Sequence, residues 1–147
     1  VNHVTRFFSI LVVLLTGVSL FLPATTEAQL AVSLRVAEAA ICKDVVDRAP
    51  VGAGTTFDPS VGQLYCFTKI GGAHEPTAVT HAWYFGDTEC SRVTLPVDSE
   101  GWRTKSSKKI QPHETGRWHV DILGPQGELL QTVWFDIASQ QGETLKD

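Results

Sequence analysis

The segment Gly116–Leu123 alternates without a break: Trp118, Val120 and Ile122 fall on one face of an extended chain, and Arg117, His119 and Asp121 on the other. Gly124-Pro125-Gln126-Gly127 then supplies a turn, and Leu129–Ile137 returns with Val133, Phe135 and Ile137 facing inward. A period of two on both sides of a turn gives a hairpin with one dry face and one wet face. Such a hairpin commits the chain to packed sheets, because a slip of one residue would turn every apolar side chain into water.

The same pattern recurs upstream in short segments. Val32, Leu34 and Val36 begin a first strand that runs on towards Cys42, although the alanines of residues 31–41 also allow a helical spacing. Residues 64–70 form a second strand and Thr77–Phe85 a third, stopped by Gly86-Asp87. Residues 90–97 and 102–110 supply the next two, Val93, Leu95 and Val97 sharing a face. Residues 44–62 hold Pro50, Gly52, Gly54, Pro59 and Gly62; a turn-rich stretch of this length is functional or carries a strand of its own. The pattern predicts an all-β, immunoglobulin-like two-sheet sandwich of about seven strands. Cys66 followed by Trp83-Tyr84 on the next strand suits two adjoining strands of such a domain. The strand that should carry the second bridging cysteine has Trp118, Val120 and Ile122 instead.

The N-terminus predicts export. Arg6 precedes an apolar run over residues 7–22, Pro23 ends it, and Thr26-Glu27-Ala28 has small residues where a signal peptidase reads. The run is shorter than the ~20 apolar residues of a spanning helix, so residues 1–28 are expected to leave as a signal peptide, with no stable membrane span afterwards. The mature chain is then a β-sandwich domain over 29–138 and a polar tail over 139–147, periplasmic or secreted. Its size fits one core. The net charge of −4 is unchanged by cleavage, since Arg6 and Glu27 leave together; this balance disfavours nucleic acid as a partner. In an oxidising compartment two of Cys42, Cys66 and Cys90 should pair, and Cys42 with Cys66, across the first two strands, is the expected bridge.

The chemistry-bearing stretch is residues 102–109. As a strand it presents Arg103, Lys105, Ser107 and Lys109 on one face, and Trp102, Thr104 and Ser106 on the other. A cationic stripe beside an aromatic ring suits an anionic partner; lysines on a solvated strand also discourage edge-to-edge aggregation. Trp118 and Trp83 have core parity, whereas Trp134 points outward with Thr132 and Asp136, so Trp134 and Trp102 are the rings to test for binding. His119 and Asp121 share a face, but His81 has the parity of Trp83 and points inward, where a backbone hydrogen bond would satisfy it. That leaves no metal site, and the cysteine spacing is not that of zinc. Ser106 and Ser107 lie in no nucleophile elbow, and no phosphate-cradling glycine loop occurs. Neither a catalytic residue nor a cofactor is expected.

Several motifs in order resemble a bacterial family known as domain of unknown function 2914. They are Asp47-Arg48-Ala49-Pro50-Val51, Leu64-Tyr65-Cys66-Phe67-Thr68-Lys69-Ile70, His81-Ala82-Trp83-Tyr84 and Trp102-Arg103-Thr104-Lys105-Ser106-Ser107-Lys108. The terminal hairpin adds Gly116-Arg117-Trp118-His119-Val120, Gly127-Glu128-Leu129-Leu130 and Val133-Trp134-Phe135-Asp136-Ile137. The resemblance implies an exported or membrane-tethered protein of a Gram-negative envelope and brings no activity with it. Cys90 departs from the family pattern, which makes it the expected odd thiol. The function expected is a non-enzymatic module that binds an anionic polymer or an envelope protein; the alternative is an envelope-acting hydrolase or metal-dependent enzyme.

Overall fold

The computed structural model describes residues 33–139; the expected signal segment over 1–28 and the tail beyond 139 lie outside them. The described residues form strands and turns and no helix. In chain order the strands are β1 (Arg35–Cys42), β2 (Asp44–Val46), β3 (Ala49–Val51), β4 (Thr56–Phe57), β5 (Gln63–Gly71), β6 (Thr77–Phe85), β7 (Thr88–Val97), β8 (Trp102–Lys109), β9 (Gly116–Leu123) and β10 (Leu129–Ile137). The bounds of β6, β9 and β10 are those that alternation predicts. The turn-rich stretch contributes the three extra strands β2, β3 and β4.

Two larger sheets face each other, of order β1-β5-β8 and β4-β10-β9-β6-β7, and β2 pairs with β3 as a separate hairpin. Every pairing is antiparallel except the short one between β4 and β10. Ile41, Leu64 and Cys66 of the three-stranded sheet share a core with Trp83, Trp118, Val120 and Phe135 of the five-stranded one, which makes the architecture sandwich-like. Phe135 sits at its centre, edge-on to Trp83 and Phe57 and stacked 5.9 Å from Trp118. A second apolar cluster gathers Ile70, Ala73, Val79, Val97 and Ile122. The chain leaves β5 through Gly72, whose φ of +87° and close approach to the Ser33 carbonyl leave no room for a Cβ.

Between the two apolar clusters lies a buried polar junction. The Trp83 Nε1–H donates to Ser106 Oγ at 3.0 Å. His81 Nδ1 lies 2.8 Å from the same oxygen, and His81 Nε2 lies 3.2 Å from Thr68 Oγ1. Both ring nitrogens therefore have hydroxyl partners in either neutral tautomer. The inward parity of His81 is as expected, but its partners are side chains of the facing sheet and not backbone. Burial holds the imidazole pKa down at about 4, against an ordinary 6.5.

The expected Cys42–Cys66 bridge is corrected. All three cysteines are free thiols. The register sets Ile41 opposite Cys66 and Cys42 opposite Tyr65, so the two cysteines occupy alternate faces of the β1–β5 pair. Cys66 points into the core; Cys42 lies at the foot of the hairpin with the Val51 backbone beside it, and burial pushes both thiols up. Cys90, the most exposed of the three, is the extra residue of a bulge opposite Trp83 and Tyr84.

The junction has two measurable consequences. Ser106→Ala leaves Trp83 Nε1 and His81 Nδ1 without partners and should cost about 2–4 kcal/mol in urea unfolding. Below about pH 6.5 the unfolded chain takes up a proton at His81 that the folded protein refuses until about pH 4. Stability should therefore fall with pH through that window, by about 3 kcal/mol from this residue. Melting curves between pH 7 and pH 4 check this; His81→Gln should be less stable at pH 7 but flatter across the window.

Candidate functional site

β8 is an edge strand of the three-stranded sheet, paired only with β5 among the described residues. Its parity is as the sequence predicts. Trp102, Thr104 and Ser106 turn inward, while Arg103, Lys105, Ser107 and Lys109 are exposed on the outer face. Across the ladder from these four stand Lys69, Phe67, Tyr65 and Gln63 in turn. The Lys105 ammonium lies 5.0 Å from the centre of the Tyr65 ring, a cation–π contact across the diagonal.

The outer face is not bare. Phe67 has outward parity on β5 yet is 1% exposed. It is covered by the β2–β3 hairpin, whose strands touch β5 and β1. The hairpin turns over two residues, Asp47 and Arg48, with φ of 50° and 63°. Two left-handed positions are what a tight hairpin turn requires, but glycine or asparagine usually supplies them. Asp47 tolerates the conformation; Arg48 is strained by it. That strained residue reaches the stripe.

Arg48 and Arg103 line two adjoining cavities. One, of about 190 Å³, is lined by Val45, Arg48, Phe67, Arg103, Thr104 and Lys105. The other, of about 350 Å³, adds Glu38, Asp47, Ala49 and Pro50 to Arg48, Phe67 and Arg103. Beyond Lys105 a third depression of about 280 Å³ is lined by Tyr65, Val93, Lys105, Ser106 and Ser107. Among the described residues the ion pairs are Arg35–Glu100, Arg92–Glu89 and Arg117–Asp136, so no carboxylate lies within 4.0 Å of the Arg48, Arg103 or Lys105 cation. Three cations around a partly apolar cleft, none in a direct ion pair and with Glu38 and Asp47 at one end, attract anions.

The sequence-derived site thus divides. Arg103 and Lys105 come together in the cleft, while Ser107 lines the depression beyond Lys105. Lys109 lies farther along β8 and lines none of these cavities. Trp102, expected beside the stripe, packs on the inner side against the Ile70–Val79–Ile122 cluster. Trp134 stands on the outer face of the other sheet, 47% exposed. There it tilts against His119 at 4.3 Å; His119 stacks on Tyr84 at 4.6 Å, and the Arg117 guanidinium lies 4.9 Å from the Trp134 ring. His119 Nδ1 is buried in that stack without a hydrogen-bond partner. Asp121 accepts a 2.7 Å bond from Thr132, while His81 lies inside the core, so the three do not converge. Arg48, Val45 and Phe67 were not foreseen as site residues. The signal available for them was Asp47-Arg48 in the middle of a turn-rich stretch, where a two-residue loop would leave a long cation at its tip.

Ser106 and His81 have the spacing of a nucleophile and its base. Their environment works against that use. The indole N–H of Trp83 occupies the Ser106 oxygen, and an imidazole held at about 4 is a poor base near neutrality. The pair acts as a clasp between sheets.

Fold and site together define an all-β, sandwich-like protein with a cationic cleft on one outer sheet face. The family model described as "Protein of unknown function (DUF2914)" matches residues 76–137, so the chain is similar to that family over β6 to β10. The resemblance read from the motifs holds there; the upstream motifs at 47–51 and 64–70 lie outside the match. No curated protein matches the chain. The matched span carries Arg103 and Lys105 but not the hairpin that completes the cleft.

The strained turn yields a test. Arg48→Gly should stabilise the protein by up to about 1 kcal/mol, because glycine accepts the left-handed backbone without cost. The same change removes one cation from the cleft and should weaken anion binding. Thermal melts and a titration with inorganic phosphate read the two effects separately.

Proposed function

We propose that this protein is an exported, non-enzymatic binding module of the bacterial envelope that engages an anionic partner through the cleft between the β2–β3 hairpin and β8. The observation that carries the reading is the convergence of Arg48, Arg103 and Lys105, from two separate elements, on one cleft without a neutralising carboxylate within 4.0 Å. Solvating lysines on an edge strand need no such convergence. Export is supported by Arg6 and the apolar run before Ala28, and a periplasmic or secreted location follows from it.

An immunoglobulin-like sandwich suits this role. The strand order supports it, with β1, β5 and β8 in one sheet and β4, β10, β9, β6 and β7 in the other. In support of this reading, Cys66 on β5 and Trp83 on β6 share one core with Trp118 and Val120 of β9. Such folds present sheet faces and loops to partners while the core stays fixed.

The test removes charge without touching the core. Arg103→Gln combined with Lys105→Gln should keep the parent melting temperature within a few degrees, since exposed substitutions usually cost within ~0.5 kcal/mol each. Binding to a partner captured by crosslinking in the native cells should weaken and lose much of its salt dependence, as screening acts on exposed charge over ~8 Å at physiological ionic strength. Unchanged affinity across a salt titration would sink the reading.

A further inference from the structure

We propose that the ligand of this cleft is an anionic group on a short apolar body, its head held among Arg48, Arg103 and Lys105 and its body seated against Val45. The inference rests on the anion-binding reading above and adds the class of ligand.

The cavity offers more than charge. A bare hydrated anion needs only the cations. The cavity of about 190 Å³ where those three cations meet is walled by the half-buried Val45, with the buried Phe67 beneath it and no carboxylate among its lining residues. A cavity of ~150 Å³ accepts a benzene ring, so there is room for one ring or a short alkyl group. The hairpin builds this wall: Val45 stands on β2, and the same hairpin brings Arg48 across to Arg103. Charge and apolar surface are therefore delivered by one element. Convergence of a few polar groups on an apolar wall is the usual layout of a small-molecule site.

The neighbouring cavities limit the ligand's length. On one side Glu38 and Asp47 line the continuation of the cleft, and their charge repels an anion that extends that way. On the other side the depression beyond Lys105 is lined by Tyr65, Val93 and the two serines, and Lys109 stands farther along the same face. An anion extending towards the hairpin tip would meet Glu38 and Asp47, whereas a compact amphiphilic anion seated beside Val45 avoids them. The head chemistry, a phosphate or carboxylate, is shared by soluble metabolites and by membrane headgroups, and the experiment separates them.

The test titrates the purified protein with inorganic phosphate, phenyl phosphate and benzyl alcohol by calorimetry, and with vesicles containing anionic phospholipid. Phenyl phosphate should bind about tenfold or more tightly than inorganic phosphate, and benzyl alcohol should not bind measurably. Val45→Thr preserves the side-chain shape but makes the wall polar; it should bring phenyl phosphate close to the level of inorganic phosphate. Arg103→Gln with Lys105→Gln should abolish binding of both. Circular dichroism and melting of each variant verify that it folds. Equal affinity for the two phosphates, unaffected by Val45→Thr, would overturn the apolar body while leaving the anion reading intact. Failure of both phosphates to bind would overturn both, and vesicle binding that phenyl phosphate does not compete for would assign the cations to a membrane surface instead.

Discussion

The Ser106 hydroxyl is where the two sheets are fastened. Apolar contact between sheets is strong but tolerant of sliding, whereas a buried hydroxyl shared by an indole N–H and an imidazole has one good arrangement. The junction joins β5 and β8 of one sheet to β6 of the other, and it sits between two apolar clusters that would otherwise merge into a uniform core. With His81 neutral, the junction avoids a buried charge. Its placement also fixes β8: because Ser106 must face inward, Arg103 and Lys105 must face outward. The cationic cleft is thus a corollary of the core.

Much of this was legible in the sequence because strands advertise parity. Gly116–Leu123 and Leu129–Ile137 alternate so cleanly that their bounds, their inner faces and the outward Trp134 all follow from period two. The inner placement of Trp83, Trp118 and His81 follows from the same rule. Parity says nothing, however, about what covers an outer face. Phe67 and Cys42 point away from the inter-sheet core and are nonetheless buried, because a hairpin folded back over them. Three-residue strands have too few positions to show a period, so the turn-rich stretch could be expected to carry a strand but β2 and β3 could not be located in it. For the same reason the cleft was half seen: its β8 wall was foreseen and its hairpin wall was not.

The cysteines show a second limit. Neighbouring strands put Cys42 and Cys66 close together, and closeness alone invites a bridge. Register decides otherwise, since adjacent residues of β5 face opposite ways and Cys42 is opposite Tyr65, not Cys66. Register depends on where the first strand begins its pairing, and the irregularity between Val36 and Glu38 shifts it by one. No property of the separate strands encodes that shift. Without a bridge, the domain relies on its aromatic core, with Phe135 at the meeting point of Trp83, Trp118 and Phe57.

The hairpin's attachment has a dynamic consequence. Among the described residues β2 and β3 form strand ladders only with each other; they pack on β1 and β5, and just past β3 the Gly54 N–H donates to the Ile41 carbonyl of β1. Such an appendage opens at a lower free energy than the sheets beneath it, as hydrogen exchange commonly finds for small cooperative units. Cys42 is buried at its foot, between the Val51 backbone of the hairpin and the Tyr65 carbonyl of β5, so seating of the hairpin contributes to its shielding. An occupant bridging Arg48 to Arg103 ties the hairpin to β8 and lengthens its closed periods. The reactivity of one buried thiol is then a clock for the opening of the cleft.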